Sequence, residues 1–472
     1  MSIKLYNYLT RKKDTFKPLR RGHVGLYTCG PTVYNYAHIG NLRTYVFEDV
    51  LRRTLEYAGY KVKHIMNITD VGHLTDDADS GTDKLEEGSK REGKTVWDIA
   101  RFYTKAFFTD ADRLNIKRAQ KIVPATTYIK QQIAIIQTLM QKGYAYATET
   151  AVYFHAPKFK RYGEYSRQPL QKLIVGARDD VVTDPGKKHP SDFALWFKLV
   201  GKFKNHTMRW PSPWGEGFPG WHIECSAIST TNLGQPFDIH TGAIDHIFPH
   251  HTNEIAQSEA AAGKPLARYW LEGEHLQVDG GKMSKSLGNF YTLADLEKQG
   301  FPPLAFRYLA LTAHYRSRLN FTWKSLKATE ASLKRLHEFV RGLKNKKSQK
   351  GKSRTLAPFK KAFDAAIADD LDTPMALSAI WKLIREYNKT SGSFEAKAVL
   401  RLLFSYDEVL GLRLKDVKAD AVPPPIAKLV KRRETLRKSG DWAGADKIRD
   451  ELVSLGWRVK DVPGGPELAK TI

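Results

Sequence analysis

From position 23 the chain reads His-Val-Gly-Leu-Tyr-Thr, an apolar-rich run short enough to predict a strand over His23–Thr28. Leu42, Val46, Val50, Leu51 and Leu55 then recur at helical spacing through Leu42–Tyr57, ending before Gly59, and Tyr60–Ile68 reads as a second strand. Strand, helix and strand in succession form a βαβ unit, whose right-handed crossover builds a parallel sheet. Ligands in such sheets sit beyond the carboxyl ends of the strands, which puts Cys29–Asn41 and Thr69-Asp70 at one rim. The pattern changes in the last third of the chain. Ser325–Leu343, Phe363–Asn388 with a start signal at Asp372-Thr373-Pro374, and Ala396–Leu412 are all helical, and together predict a bundle. Val422-Pro423-Pro424-Pro425 sets off a smaller unit containing a helical Ala443–Leu455.

Charge narrows the class of partner. The 472 residues hold 76 Lys and Arg against 51 Asp and Glu, a net +25, which calls for a polyanion or an acidic membrane surface. No apolar run approaches the roughly 18 residues of a membrane helix, and the opening MSIKLYNYLTRKKD lacks the apolar stretch of a signal peptide. A cytoplasmic chain without a membrane partner is expected. Residues 301–472 carry +16 of the excess, with six cations and no acid in Lys344–Arg354 and five cations in Lys431–Lys438. The only two cysteines, Cys29 and Cys225, exclude a disulfide framework.

Three segments carry candidate chemistry. Between the first strand and its helix runs Cys29-Gly-Pro-Thr-Val-Tyr-Asn-Tyr-Ala-His38-Ile39-Gly40-Asn41. A helix starting near Asn41 offers unpaired N–H groups and positive dipole to a phosphate; Gly40 permits close approach and His38 can donate to a charge-building phosphate oxygen. Asp279–Asn289 is a glycine-flanked loop with Lys282, Ser284, Lys285 and Ser286, suited to closing over a triphosphate. The third segment joins Trp221-His-Ile-Glu-Cys225 to Gly242-Ala-Ile-Asp245 and Pro249-His250-His251-Thr-Asn-Glu254. Pro249 and Gly263 bound a helix over 250–262, so His250 and Glu254 share one face. With five of the fifteen histidines between 222 and 251, Cys29, Cys225, His250 or His251, and Glu254 make a zinc-type donor set.

His38-Ile-Gly40 and Lys282-Met-Ser-Lys-Ser286 together resemble the two signature sequences of class I aminoacyl-tRNA synthetases. Over the whole length, Cys29–Tyr34, Asn67-Ile-Thr-Asp70, Gly220–Ala227, Phe248–Gln257 and Asp441–Asp450 fall in the order of the cysteinyl-tRNA synthetases, which the chain therefore resembles. The resemblance implies an α/β fold: a Rossmann-like parallel-sheet catalytic domain in two halves, 1–118 and 220–300, around a connective insertion at 119–219 that binds the acceptor end. A helical bundle at 301–415 and a small anticodon-binding domain at 420–472 would follow. It implies one Zn²⁺ on Cys29, Cys225, His250 and Glu254 holding the substrate thiolate, with Gly30, Thr69 and Trp221 around L-cysteine. ATP, accompanied by Mg²⁺, would lie against Gly40, Asn41, Gly242, Asp245, Ser284, Lys285 and Ser286, with His38, Lys285 and Lys282 assisting catalysis.

The family's usual second signature histidine is replaced by Asn41, which keeps a donor but no charge. The implied partner is tRNA(Cys), the implied state a monomer, and the implied reaction cysteinyl-adenylate formation followed by transfer to tRNA. Two other readings share parts of this pattern: a ligase joining activated cysteine to a small amine, and a non-catalytic tRNA-binding zinc protein. The basic tail argues against the first, and the paired signatures against the second.

Overall fold

His23–Thr28 is the middle strand of a five-stranded sheet, with Lys61–Ile68 and Lys121–Pro124 on one side and Phe237–Ala243 and Ala267–Gly273 on the other. This architecture comes from a computed structural model that describes residues 1–75, 81–169, 184–283, 288–346, 354–390, 393–418, 423–462 and 465–470. All four pairings are parallel. In chain order the strands lie 3-2-1-4-5, so the winding reverses between His23–Thr28 and Phe237–Ala243. That reversal opens a crevice at the carboxyl ends of these two strands.

Phe237–Ala243 has little apolar signal because Asp238, His240 and Thr241 are buried within it. Each has an internal partner. Asp238 accepts from the backbone N–H groups of Leu19 (2.6 Å) and Gly25 (2.7 Å), Thr241 donates to Glu48 (2.9 Å), and His240 pairs with Glu254 (3.0 Å).

Helix α1 spans Ile39–Tyr57, starting two residues before the position read from the sequence. His38 is its cap: Nδ1 accepts from the Asn41 N–H at 3.1 Å, and the Asn41 side-chain oxygen accepts from the His38 N–H at 3.2 Å. Between the third and fourth strands lies a separate antiparallel sheet of Ala145–Ala147, Ala151–Phe154, Phe193–Lys198 and Gly217–Pro219. Its last strand leads through Gly220 into the helix Trp221–Leu233.

The chain divides into two compact units. One comprises Met1–Glu330, Phe363–Leu377 and Val409–Leu412; the other comprises Ala331–Ala362, Ser378–Glu408 and Arg413–Ile472. The helical stretch read over Phe363–Asn388 is two helices, Ala357–Ala368 and Thr373–Lys389, the second beginning at the sequence's start signal. Asp370 and Leu371 between them have φ of 62° and 60°. The buried Asp370 carboxylate accepts from the Tyr6 N–H (2.8 Å), the Tyr315 hydroxyl (2.7 Å) and Arg316 Nε (2.7 Å), contacts that compensate the strained backbone. In the second unit, Ile426, Ile448, Leu452 and Trp457 form the core of the small C-terminal piece. Among the described residues, no helix is long and apolar enough to cross a membrane.

Charge is also buried in the first unit. Arg307, fully buried, places Nη2 2.6 Å from Asp49 Oδ2 and donates to the carbonyls of Leu410 (2.7 Å) and Leu114 (2.9 Å); Arg53 reaches the same carboxylate at 2.7 Å. Burial alone would raise Asp49, but Arg307 and Arg53 outweigh it and hold the carboxyl below its usual range. Asp49→Asn removes the buried negative charge that faces two guanidinium groups and is expected to lower the unfolding free energy by about 3 kcal/mol in urea titration. A group with a depressed folded-state pKa stabilises above its unfolded pKa, so the deficit should be complete above about pH 4 and shrink as acid protonates Asp49 in the parent protein. A pH-independent deficit would contradict this assignment.

Candidate active site and metal centre

The crevice holds a cavity of about 380 Å³, lined by Cys29, Gly30, Thr32, His38, Thr69, Trp221 and Cys225, among others. The elements place these groups for local reasons. Cys29 follows the middle strand directly, its N–H donating to the Thr241 carbonyl of the neighbouring strand (3.3 Å). Gly30 turns the chain beneath Asn67, whose side-chain oxygen accepts from the Gly30 N–H at 2.7 Å; a Cβ on Gly30 would meet the Asn67 carbonyl oxygen at 1.7 Å, so no other residue fits. The buried Thr69 hydroxyl accepts from Asn67 Nδ2 at 3.0 Å.

Trp221 and Cys225 stand one turn apart on the helix that begins at Trp221, and so face the same way. A π-type turn at Ile247–His251, with Phe248 in extended backbone, precedes the helix Thr252–Ala262. The expected helix over 250–262 therefore starts two residues late. His250 nevertheless reaches Glu254 Oε1 at 2.8 Å.

These segments bring ligand-type atoms of Cys29, Cys225, His250 and Glu254 within 4.8 Å of one another, all buried. A second set at the same spacing shares Cys29 and Glu254 but takes His240 and His251. The two differ in chemistry. The first contains both thiols and suits a soft, thiophilic ion, whereas the second offers one thiol and two imidazoles.

Electrostatics bind the first set together. His250 is raised to about 10 by Glu254 and Cys225 against its own burial, and Glu254 is lowered to about 2 by His240 and His250, again against burial. The two thiols split: burial and the Cys225 neighbour push Cys29 up, while hydrogen bonding to Cys29 and the nearby His250 bring Cys225 down despite burial. Without a metal the set thus holds a carboxylate, one favoured thiolate, one thiol and a protonated imidazole, and a divalent ion binding there would displace the protons of His250 and Cys29.

Across the cavity lies the start of α1. Because His38 Nδ1 accepts in the cap, a neutral ring carries its hydrogen on Nε2, a donor suited to an anionic oxygen. Asn41 spends its side-chain oxygen on the same cap and keeps Nδ2 as its donor group. Gly40 packs near Met283 of the glycine-flanked loop; Lys282 is exposed, its carbonyl accepting from Asn289 (3.1 Å). Ser284, Lys285 and Ser286 lie outside the described residues. Gly242 is the penultimate residue of the fourth strand, beside His251, and exposed Asp245 lies 3.4 Å from His275 Nδ1.

Several wall residues gave no sign in the sequence. His73 follows the second strand in an unremarkable Gly-His-Leu, and only the fold brings it, with Thr32 and Lys84, against Trp221. His222 and His240 belong to the histidine-rich stretch, whose density was the one available signal; they support His250 (3.0 Å) and Glu254 (3.0 Å) respectively.

Comparison with known proteins agrees with this geometry. The family model for the class I (C) tRNA synthetase catalytic domain matches residues 15–331, a DALR domain matches 362–415, and a cysteinyl-tRNA ligase anticodon-binding domain matches 419–466. A cysteine–tRNA ligase from Burkholderia lata is 48% identical over 471 residues, covering 99% of this chain and 97% of the relative. One from Treponema denticola is 43% identical, covering 98% and 99%. The Mycobacterium tuberculosis methionyl-tRNA synthetase in complex with methionyl-adenylate shares the fold, with a TM-score of 0.58 at 16% identity over 86% of this chain and 94% of that one. On full-length identity and family match, the chain belongs to the cysteine–tRNA ligases of the class I aminoacyl-tRNA synthetase family.

Proposed function

We propose that this chain activates L-cysteine with ATP and transfers it to tRNA(Cys), with zinc on Cys29, Cys225, His250 and Glu254 selecting the amino acid. The observation that carries the reading is the meeting of the chain's only two thiols with His250 and Glu254, in the same cavity as the start of α1. In the first step the cysteine carboxylate attacks the α-phosphorus of ATP, and the bond to the β-phosphate breaks to release pyrophosphate. In the second, a terminal ribose hydroxyl of the tRNA attacks the activated carbonyl and AMP departs.

No protein nucleophile is needed. His38 Nε2 donates to phosphate oxygens as charge builds, the α1 N-terminus faces the same charge, and Lys285, with Lys282 as a second cation, neutralises the departing pyrophosphate. ATP enters as its Mg²⁺ complex, with Gly40, Asn41, Gly242, Asp245, Ser284 and Ser286 around it. Gly30, Thr69 and Trp221 enclose the amino acid. When bound, zinc supplies a Lewis acid that favours a thiolate and lowers its pKa. Residues 119–219 receive the acceptor end, while 301–415 and 420–472 hold the anticodon stem and loop of a tRNA bound to one cytoplasmic monomer. The anticodon-domain match supports an RNA acceptor over a small amine.

Selection by the metal should exceed selection by size. An apolar pocket separates isosteric substrates by only about 100-fold, so ATP–pyrophosphate exchange with cysteine should outpace serine by clearly more than that. Comparable turnover of both would refute metal-based selection. Cys225→Ser should lose zinc and exchange activity together; stoichiometric zinc with unchanged kinetics would remove Cys225 from the ligand set.

A further inference from the structure

Trp221, the wall of the amino-acid pocket, is held between two imidazoles. His250 lies on it at 4.2 Å between ring centroids and 21° between planes; His73 lies on it at 3.9 Å and 10°. His250 belongs to the donor set, but the reading above gives His73 no task. Its own surroundings are unusually determined. Lys84 Nζ is 2.6 Å from His73 Nε2, and Thr32 Oγ1 is 2.6 Å from His73 Nδ1. An ammonium only donates, so Nε2 must accept, and the hydrogen of the neutral ring sits on Nδ1, directed at Thr32. With its oxygen accepting, the Thr32 hydroxyl keeps its own hydrogen for another partner, and Thr32 lines the cavity.

The backbone fixes the ring as firmly. The His73 carbonyl accepts from the Lys84 N–H (3.0 Å), and Asp83, the cap of helix α2 at Lys84–Glu92, accepts from the Gly72 N–H (2.9 Å). Gly72 has φ of +71°, and a Cβ there would meet the Pro219 carbonyl oxygen at 2.2 Å, so the turn presenting His73 is tied to the strand just before Trp221.

We propose that His73 is a positioning residue of the amino-acid pocket, a clamp that presses Trp221 flat against His250 and orients the Thr32 hydroxyl toward the substrate. The pocket width is then preset before the amino acid enters, and the clamp acts on its affinity rather than on phosphoryl chemistry. This rests on the reading that L-cysteine is the substrate.

The test compares zinc-loaded parent enzyme with His73→Ala and His73→Phe, the second keeping a flat ring against Trp221 but no hydrogen bonds. The readouts are ATP–pyrophosphate exchange, the calorimetric Kd for L-cysteine, and zinc content. In His73→Ala, KM and Kd for cysteine should rise about three- to ten-fold, the worth of a stacked ring pair. kcat, KM for ATP and the zinc-to-protein ratio should stay at parent values. His73→Phe should recover most of the lost affinity. An unmoved KM and Kd for cysteine in His73→Ala overturns the clamp. So does a parallel loss of kcat, ATP affinity and zinc, which marks a merely structural residue, or a His73→Phe enzyme no better than His73→Ala. If the parent enzyme shows no cysteine-dependent exchange at all, the substrate reading falls and the clamp with it.

Discussion

Burying a carboxylate beside two thiols and several imidazoles is tolerable only if every charge has a partner, and that requirement organises the whole site. Glu254 is completely buried, yet both oxygens are engaged, one by His240 and one by His250. His251 leans on Glu272, which accepts in turn from the Tyr165 hydroxyl. Isolated, any of these groups would cost several kcal/mol to desolvate; joined, they stabilise one another, although His240 Nδ1 and Glu272 Oε2 make no hydrogen bond among the described residues. The catalytic sheet serves this network. Its winding reversal opens the crevice, and the two strands flanking that reversal deliver Cys29 on one side and His240 on the other.

The same economy appears at the start of α1. His38 and Asn41 cap each other, so the residue that replaces the family's second histidine has a structural task that needs no charge. The cap also fixes which His38 nitrogen carries hydrogen. At this position the amide does what the local backbone asks of a capping-box partner, and in the proposed reaction the donor toward phosphate is His38.

Much of this was legible in the sequence, for reasons that mark the limits of sequence reading. The first βαβ unit announces itself by apolar periodicity, and its strands fall within a residue of their expected ends. Cys29, Cys225, His250 and Glu254 stand out because thiols are scarce and histidines crowd one stretch. Phe237–Ala243 did not, because a strand lined with buried Asp238, His240 and Thr241 carries no hydrophobic signature. The break at Asp370-Leu371 was signalled only by the helix start just after it, since its left-handed backbone is held by tertiary hydrogen bonds from Tyr6, Tyr315 and Arg316. His73 left no trace at all: one histidine after one strand has no spacing to read, and its meaning comes from Trp221, which lies far along the chain.

The placement of the two thiols has a consequence for biosynthesis. Cys29 directly follows the middle strand of the sheet, and Cys225 comes 196 positions later. At roughly 5–20 residues per second, a ribosome takes on the order of 10–40 seconds to travel between them. Over that interval Cys29 is a lone thiol just beyond a strand with one flank open, because the strand that covers that flank, Phe237–Ala243, is made later still. A nascent chain of this family can therefore complete its donor set only after the separate antiparallel sheet has been synthesised, and until then the open edge of the central strand is the segment most in need of protection from wrong pairing.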